Sequence, residues 1–419
     1  MSHPMQPAPA PAPWPGGGAP AQPTAVPASM APPGVGPGPG GMLAAPRRSH
    51  GIGTIIAISL LGVLVLVAIA VIGLQVGIGA LPLATILAFV PLAVVLLAVR
   101  WVDRWEPEPW QALAVAFGWG ASVSVLVALV LNTGAMMALV ASGSSALAAD
   151  VLGAAVVAPV VEESIKALGV LIIFLVWRRS FDGPVDGLVY AATVAAGFAF
   201  VENILYFGST MAATEGIPGG GAAVVTVFLM RGIMSPFAHL LFTACTGLAL
   251  GIAAERGSRW AWVWMLPIGL FLAMTLHGLW NGSAMMNGDG TGFIVMYVLF
   301  QVPLFLATVG LAFWLRRRES RVLRQRLSEY AASWWFAPAE VVMLASLGER
   351  RRARAWAAGR GGSEGKAAMA QFQHVATRLA YLRHRAQSNR TDLRAAQDEN
   401  AALGDLVAAR HRLQRSLAV

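Results

Sequence analysis

Four apolar stretches of this chain carry side chains that hydrocarbon does not tolerate without a purpose. They are Glu162-Glu163-x-x-Lys166, Glu202 with Asn203 beside it, His239, and His277-x-x-x-Asn281. An ionisable group inside a bilayer costs several kcal/mol, so such groups persist where they pair, face water or bind something. Their types suit hydrolysis. A glutamate can take a proton from water, and two histidines with a glutamate can hold a catalytic zinc that keeps a position for water. An asparagine can donate a hydrogen bond to an oxyanion.

Spacing groups these residues. Glu162 and Lys166 are four apart and share one helix face, as do His277 and Asn281. Glu163 sits about 100° further round, able to reach the same cavity or a neighbouring helix. If ionised, Glu162, Glu163 and Glu202 bring three negative charges against Lys166 and Arg231, with both histidines neutral. That leaves one carboxylate to be protonated or neutralised by a cation. The expected assignment has Glu202, His239 and His277 as metal ligands, Glu162 or Glu163 as the base on water and Asn281 as the oxyanion donor. Lys166 and Arg231 support them. A metal-free glutamate–histidine pair that activates water satisfies the same residues. The HExxH motif of soluble zinc proteases is absent, so a metal site must be assembled across helices. Proton relays use the same residue types, which makes a proton-coupled transporter the competing reading. No second copy of EExxK or HxxxN appears, as the internal repeats of transporters would give.

The elements that must position this set are membrane helices. Of 419 residues, 57% are hydrophobic and 12% charged, against about 25% charged in a soluble domain. An all-α polytopic membrane protein is expected. Eight stretches are long enough to cross a bilayer as helices, at roughly 52–74, 80–99, 111–140, 150–177, 186–207, 222–254, 261–285 and 292–315. Pro159 and Pro236 each stand three residues before a site residue and predict kinks that open the helices around a wet pocket.

Arginines fall in alternate loops. Arg47 and Arg48 precede the first stretch, Arg100 and Arg104 follow the second, Arg178 and Arg179 the fourth, Arg256 and Arg259 the sixth, and Arg316 to Arg318 the eighth. The positive-inside rule then places both termini in the cytoplasm of a plasma-membrane protein. The site falls between mid-membrane and the external half. Trp101, Trp105 and Trp110 around the Pro-Glu-Pro loop read as an interfacial belt at the cytoplasmic face.

Three regions are expected. Residues 1–50 form a Pro/Ala/Gly-rich tail with almost nothing to bury, read as disordered, without the basic start and apolar core of a signal peptide. Residues 51–316 form the membrane domain. Residues 317–419 form a basic, helical cytoplasmic region that starts a helix near Pro338 and breaks at Gly359 to Gly362. From Arg316 onward there are 20 Lys and Arg against 9 Asp and Glu. Clusters such as Arg350-Arg351-Arg352-Ala353-Arg354 suit a solvated face near the membrane, contact with anionic lipid, or a protein partner; nucleic acid is the weaker reading. The lone Cys245 excludes an internal disulfide and any multi-cysteine metal site.

The ordered motifs resemble those of the PrsW family of intramembrane proteases, relatives of the CAAX-prenyl protease clan, over about residues 80–315. They run Asp103-Arg104-Trp105-Glu106-Pro107-Glu108-Pro109, Glu162-Glu163-Ser164-Ile165-Lys166, Asp186-Gly187-Leu188-Val189-Tyr190, Gly197-Phe198-Ala199-Phe200-Val201-Glu202-Asn203, Arg231, His239 and His277-Gly278-Leu279-Trp280-Asn281. The resemblance implies proteolysis of membrane-embedded or membrane-proximal substrates, anti-sigma factors being the type example, with a divalent metal, zinc. Where the wider clan has FxxxH, this chain has Phe198-x-x-x-Glu202, and His239 stands as the replacement for the missing histidine.

Overall fold

The computed structural model describes residues 52–178, 180–256, 260–285, 291–388 and 393–418. The Pro/Ala/Gly-rich tail with Arg47 and Arg48, together with Arg179 and Arg259, lies outside them. Among the described residues all regular structure is helical. The chain divides into two compact units, with residues 50–316 in one and residues 317–419 in the other.

The membrane unit contains α1 (Ile52–Val76), α2 (Leu81–Val102), α3 (Trp110–Trp119), α4 (Val125–Ala141), α5 (Ala146–Leu152) and α6 (Ala158–Val176). It continues with α7 (Pro184–Thr214), α8 (Gly220–Phe228), α9 (Ala238–Glu255), α10 (Ala261–Ala284), α11 (Thr291–Met296) and the start of α12 (Val302–Ala332). Helices follow from the solvent: inside a bilayer a backbone must satisfy its own N–H and C=O groups. Seven helical stretches among the described residues have the length and apolarity to cross a membrane, one fewer than expected. The difference is the expected segment 150–177, and its cause is chemical. Its helix, α6, is apolar enough but concentrates Glu162, Glu163 and Lys166 within five residues, more charge than a lipid-facing span carries, and it packs against α4, α7, α9 and α10.

The centre of the unit is α7, buried almost all round. Small residues allow this. A Cβ on Gly187 would stand 2.0 Å from the Gly247 carbonyl oxygen, and one on Gly247 would stand 2.1 Å from that of Gly187. The backbones of α7 and α9 therefore touch, which is how membrane helices gain contact where lipid competes for apolar surface.

Among the described residues four π-helical segments interrupt the α-helices, at Gly120–Ser124, Gly153–Val157, Leu229–Met234 and Tyr297–Gln301. Such bulges gather at functional sites. Two stand directly before site helices: Gly153–Val157 leads into Pro159 and α6, while Leu229–Met234 gives way at Ser235-Pro236-Phe237, which is not helical, before α9 begins.

In the other unit, α13 (Pro338–Leu344), α14 (Leu347–Ser388) and α15 (Leu393–Leu417) pack around Phe336, Phe372 and Leu379. Pro338 occupies the first turn of α13. The expected glycine break falls inside α14, where Gly361 and Gly362 leave helical geometry and Gly362 takes φ +58°. Arg350 turns inward and donates to the Gln373 carbonyl and the Thr377 hydroxyl. The arginine cluster is thus partly structural and not wholly a solvated face.

Candidate active site

The polar residues of α6, α7, α9 and α10, with Arg231 from the π segment, meet in one cluster. Lys166 lies at its centre, wholly buried. Its ammonium donates to Glu163 Oε1 at 2.6 Å and lies 3.3 Å from His239 Nδ1 and 3.9 Å from Glu162 Oε2. Phe198 places its ring 4.2 Å from the same nitrogen. A buried lysine without such partners would be strongly destabilising; here carboxylate, imidazole and ring faces replace water.

The two neighbouring glutamates have different surroundings. Glu163 is fully satisfied: Oε1 accepts from Lys166 and lies 3.0 Å from His277 Nδ1, while Oε2 accepts from the Thr243 hydroxyl at 2.9 Å. Glu162 is not. Its Oε1 has a long contact with Asn132 Nδ2 at 3.4 Å, and its Oε2 is buried without a hydrogen-bond partner, 3.9 Å from His277 Nε2.

Each histidine is backed by a carboxylate. His277 sets Nδ1 against Glu163, and His239 sets Nε2 against Glu202 Oε2 at 2.8 Å. A carboxylate on one ring nitrogen fixes the tautomer and leaves the opposite nitrogen as a lone-pair donor. The rings stand edge to face with centroids 5.2 Å apart, and Phe242 stacks on His277 at 4.9 Å. Ligand atoms of Glu162, His239 and His277 all lie within 4.8 Å of one another.

This differs from the sequence-based ligand set. Glu202 lies beside the group, but its Oε2 accepts from Arg231 Nη2 as well as facing His239. Arg231 also donates through Nε to Asn203 Oδ1 at 2.8 Å and lies over the Tyr206 ring. Asn281 is turned elsewhere: its Nδ2 donates to the Ala154 carbonyl at 2.9 Å, tying α10 to the π segment ahead of α6. Sequence reasoning passed over Asn132 and Thr243. Thr243 had a signal, since it lies four residues beyond His239 on the same face; Asn132 had only its polarity within an apolar run.

Exposure grades across the cluster. Side chains of Lys166, Glu163 and His277 are 0–2% exposed, whereas those of His239, Glu202 and Arg231 reach 12–22%. The site therefore opens on the Arg231–His239 side.

The Asp103–Trp110 loop is more than the interfacial belt expected of it. Trp110 is exposed, but Asp103, Trp105 and Glu108 are buried. Asp103 accepts from the Glu108 backbone N–H, and the Tyr190 hydroxyl of α7 donates to Glu108 Oε2.

Comparison with known proteins adds an independent line. Residues 108–308 match the sequence profile of the PrsW family intramembrane metalloproteases. Protease PrsW of Clostridioides difficile (strain 630) is 29% identical over 196 residues, covering 47% of this chain and 76% of its own. That of Geobacillus kaustophilus (strain HTA426) is 27% identical over 182 residues, 43% of this chain and 69% of its own. That of Bacillus subtilis (strain 168) is 32% identical over 120 residues, 29% of this chain and 48% of its own. No solved structure matches the chain.

Proposed function

We propose, from the match of residues 108–308 to the PrsW family of intramembrane metalloproteases, that the chain is a protease of this kind and that Glu162, His239 and His277 are its hydrolytic centre. The chain is a multi-pass membrane hydrolase whose substrate is a membrane protein. The observation that carries the assignment is Glu162 Oε2, a buried carboxylate oxygen with no hydrogen-bond partner beside two carboxylate-backed histidines.

The donor set fits a divalent metal. It offers a carboxylate and two imidazoles within 4.8 Å of one another, the recipe of a catalytic zinc site. Glu162, His239 and His277 would hold the ion, and zinc is the metal we propose. When bound, it supplies Lewis-acid polarisation of water and of the scissile carbonyl. Lys166 shares the Nδ1 side of His239; were a cation held there, Lys166 would give up that contact and keep its ion pair with Glu163.

The chain's own residues do the proton work. Glu162 takes a proton from the attacking water and passes it to the departing amine, which balances peptide hydrolysis. A carboxylate has two oxygens, and either task needs only one. Glu163 and Glu202 orient the histidines, and Thr243 and Lys166 hold Glu163 in place. Arg231 uses Nε and Nη2 in the two bonds described, and in this reading its remaining amino group donates to the scissile carbonyl. Asn281 becomes a residue that positions α10.

We place both termini in the cytoplasm of the plasma membrane, from the alternation of basic loops. The substrate class is a single-pass regulator of the anti-sigma-factor type. Residues 1–50, 51–316 and 317–419 remain the proposed head, protease domain and cytoplasmic region. A transporter reading finds no relative among the proteins compared, which are proteases.

Membrane proteomes of cells carrying the wild-type chain or Glu162→Gln test the assignment. At least one single-pass protein should accumulate uncut in the variant. Indistinguishable proteomes would remove Glu162 from the centre of the account.

A further inference from the structure

We infer that the cavity beside the histidines is a side-chain subsite that takes one bulky apolar residue of the substrate close to the scissile bond; this rests on the protease reading above. The cavity measures about 170 Å³ and lies where the chain breaks between the Leu229–Met234 π segment and α9. Its apolar wall comes from Ile233, Phe237, Leu241, Trp280, Tyr297 and Phe305. An apolar cavity of about 150 Å³ holds a benzene molecule, so this one accommodates a phenyl or isobutyl side chain.

Its place in the fold joins it to the chemistry. Leu241 lies two residues beyond His239 on α9, and Trp280 lies one turn beyond His277 on α10. Ala238, Leu241 and Phe242 form one apolar cluster with Phe237 and Trp280, and Phe242 stacks directly on His277. Phe242 therefore links the apolar cluster of the cavity wall to His277. The rim is open, with Ile233 57% and Phe305 36% exposed.

The polar groups narrow the occupant. The Ser235 hydroxyl donates to the Met230 carbonyl and the Tyr297 hydroxyl to the Met234 carbonyl, at 2.6 and 2.8 Å. Both hydroxyl protons are thus committed to backbone carbonyls of the π segment. Gln301 differs. It ends the Tyr297–Gln301 π segment, is only 6% exposed and lines the cavity. Its side-chain amide offers both a donor and an acceptor to whatever enters the cavity. An extended peptide that drops a side chain between the rings brings its own backbone amide to the mouth, where Gln301 can pair with it. An acyl chain would satisfy the rings and offer the Gln301 amide nothing.

The test uses the full chain in liposomes with a library of single-pass transmembrane peptides, randomised over the membrane-proximal positions. Cut products are sequenced by mass spectrometry, and retention of the same peptides is measured on Glu162→Gln chain. At one position relative to the cut, Leu, Met or Phe should be preferred over Ala by about 10-fold or more, as expected for burial of such a side chain. Val302→Trp fills the cavity and should shift that preference towards Ala and Gly. Phe305→Ala enlarges it and should shift the preference towards Trp. Opposite shifts cannot both arise from misfolding. Gln301→Ala should lower kcat/KM for the preferred peptides by about 5-fold, the loss of a hydrogen bond. A selection profile that is the same in wild type, Val302→Trp and Phe305→Ala overturns the subsite. If wild-type chain cuts nothing, the protease reading falls. Retention on Glu162→Gln chain then decides the cavity alone: Phe peptides held over Ala peptides, and released by adding Val302→Trp, keep it as a peptide site, and equal retention removes it.

Discussion

Two sets of carboxyl groups are buried in the membrane unit to similar depths and on opposite plans. In the helical cluster, Glu162, Glu163 and Glu202 alternate with Lys166, Arg231 and two histidines, and one oxygen of Glu162 is left over. In the Asp103–Pro109 loop, Glu108 meets a phenol and Asp103 meets a backbone N–H. Burial pushes the Asp103 carboxyl up to about 7, eased by the Glu108 backbone N–H and Arg100. Burial, then the nearby Asp186, pushes Glu108 well above the usual carboxylate range, while the Tyr190 hydroxyl pulls it back. Depth alone therefore does not make a reactive site. The loop is a latch that fastens the start of α3 to α7, while the mixed-charge cluster keeps an unpaired acceptor beside lone-pair donors.

The largest effect should come from Glu162→Gln. Cleavage should fall about 10³-fold, within the range for a lost general base, while the thermal midpoint of the purified chain barely moves, because Oε2 accepts no hydrogen bond and Lys166 keeps its shorter ion pair with Glu163. Glu163→Ala should act on the fold as well. It strands buried Lys166, so a loss of about 3–5 kcal/mol is expected, and adding Lys166→Met should recover part of it in a double-mutant cycle. A Glu162→Gln chain that melts as early as Glu163→Ala would erase the distinction between the two glutamates.

The latch predicts a pH dependence. The Asp103 pKa is raised in the folded chain, so that chain keeps a proton the unfolded chain has lost between about pH 4 and pH 7. Stability should fall as pH rises through that window, by on the order of 3 kcal/mol, and level off above it. Melting of Asp103→Asn across the same range should be flatter. The smallest effect is expected from Tyr190→Phe, about 1–2 kcal/mol of stability for one lost hydrogen bond to a buried carboxyl, with the cleavage profile of the peptide library unchanged. A changed profile would give the latch a part in substrate selection.

Much of this was legible in the chain because hydrocarbon makes polar residues conspicuous. EExxK, His239 and HxxxN stand out for that reason, and the apolar runs outline most helices. The assignment within the set was not legible. Glu162 and Glu163 are adjacent, and only the packing of α9 determines that Thr243 reaches Glu163 while Glu162 keeps a free oxygen. Asn281 shares a face with His277, yet its partner is a carbonyl 127 positions away. Glu108 looked like part of an interfacial loop because Tyr190, which draws it inward, is 82 residues distant. Pairings over such separations leave no local pattern.

The metal content of the purified full-length chain and its variants tests the central claim most directly. We expect about one divalent ion per wild-type chain, lost from His239→Ala and His277→Ala and retained in Asp103→Asn, as a two-histidine, one-carboxylate site requires. An ion retained by both histidine variants, or a wild-type chain that cleaves substrate without one, would contradict it.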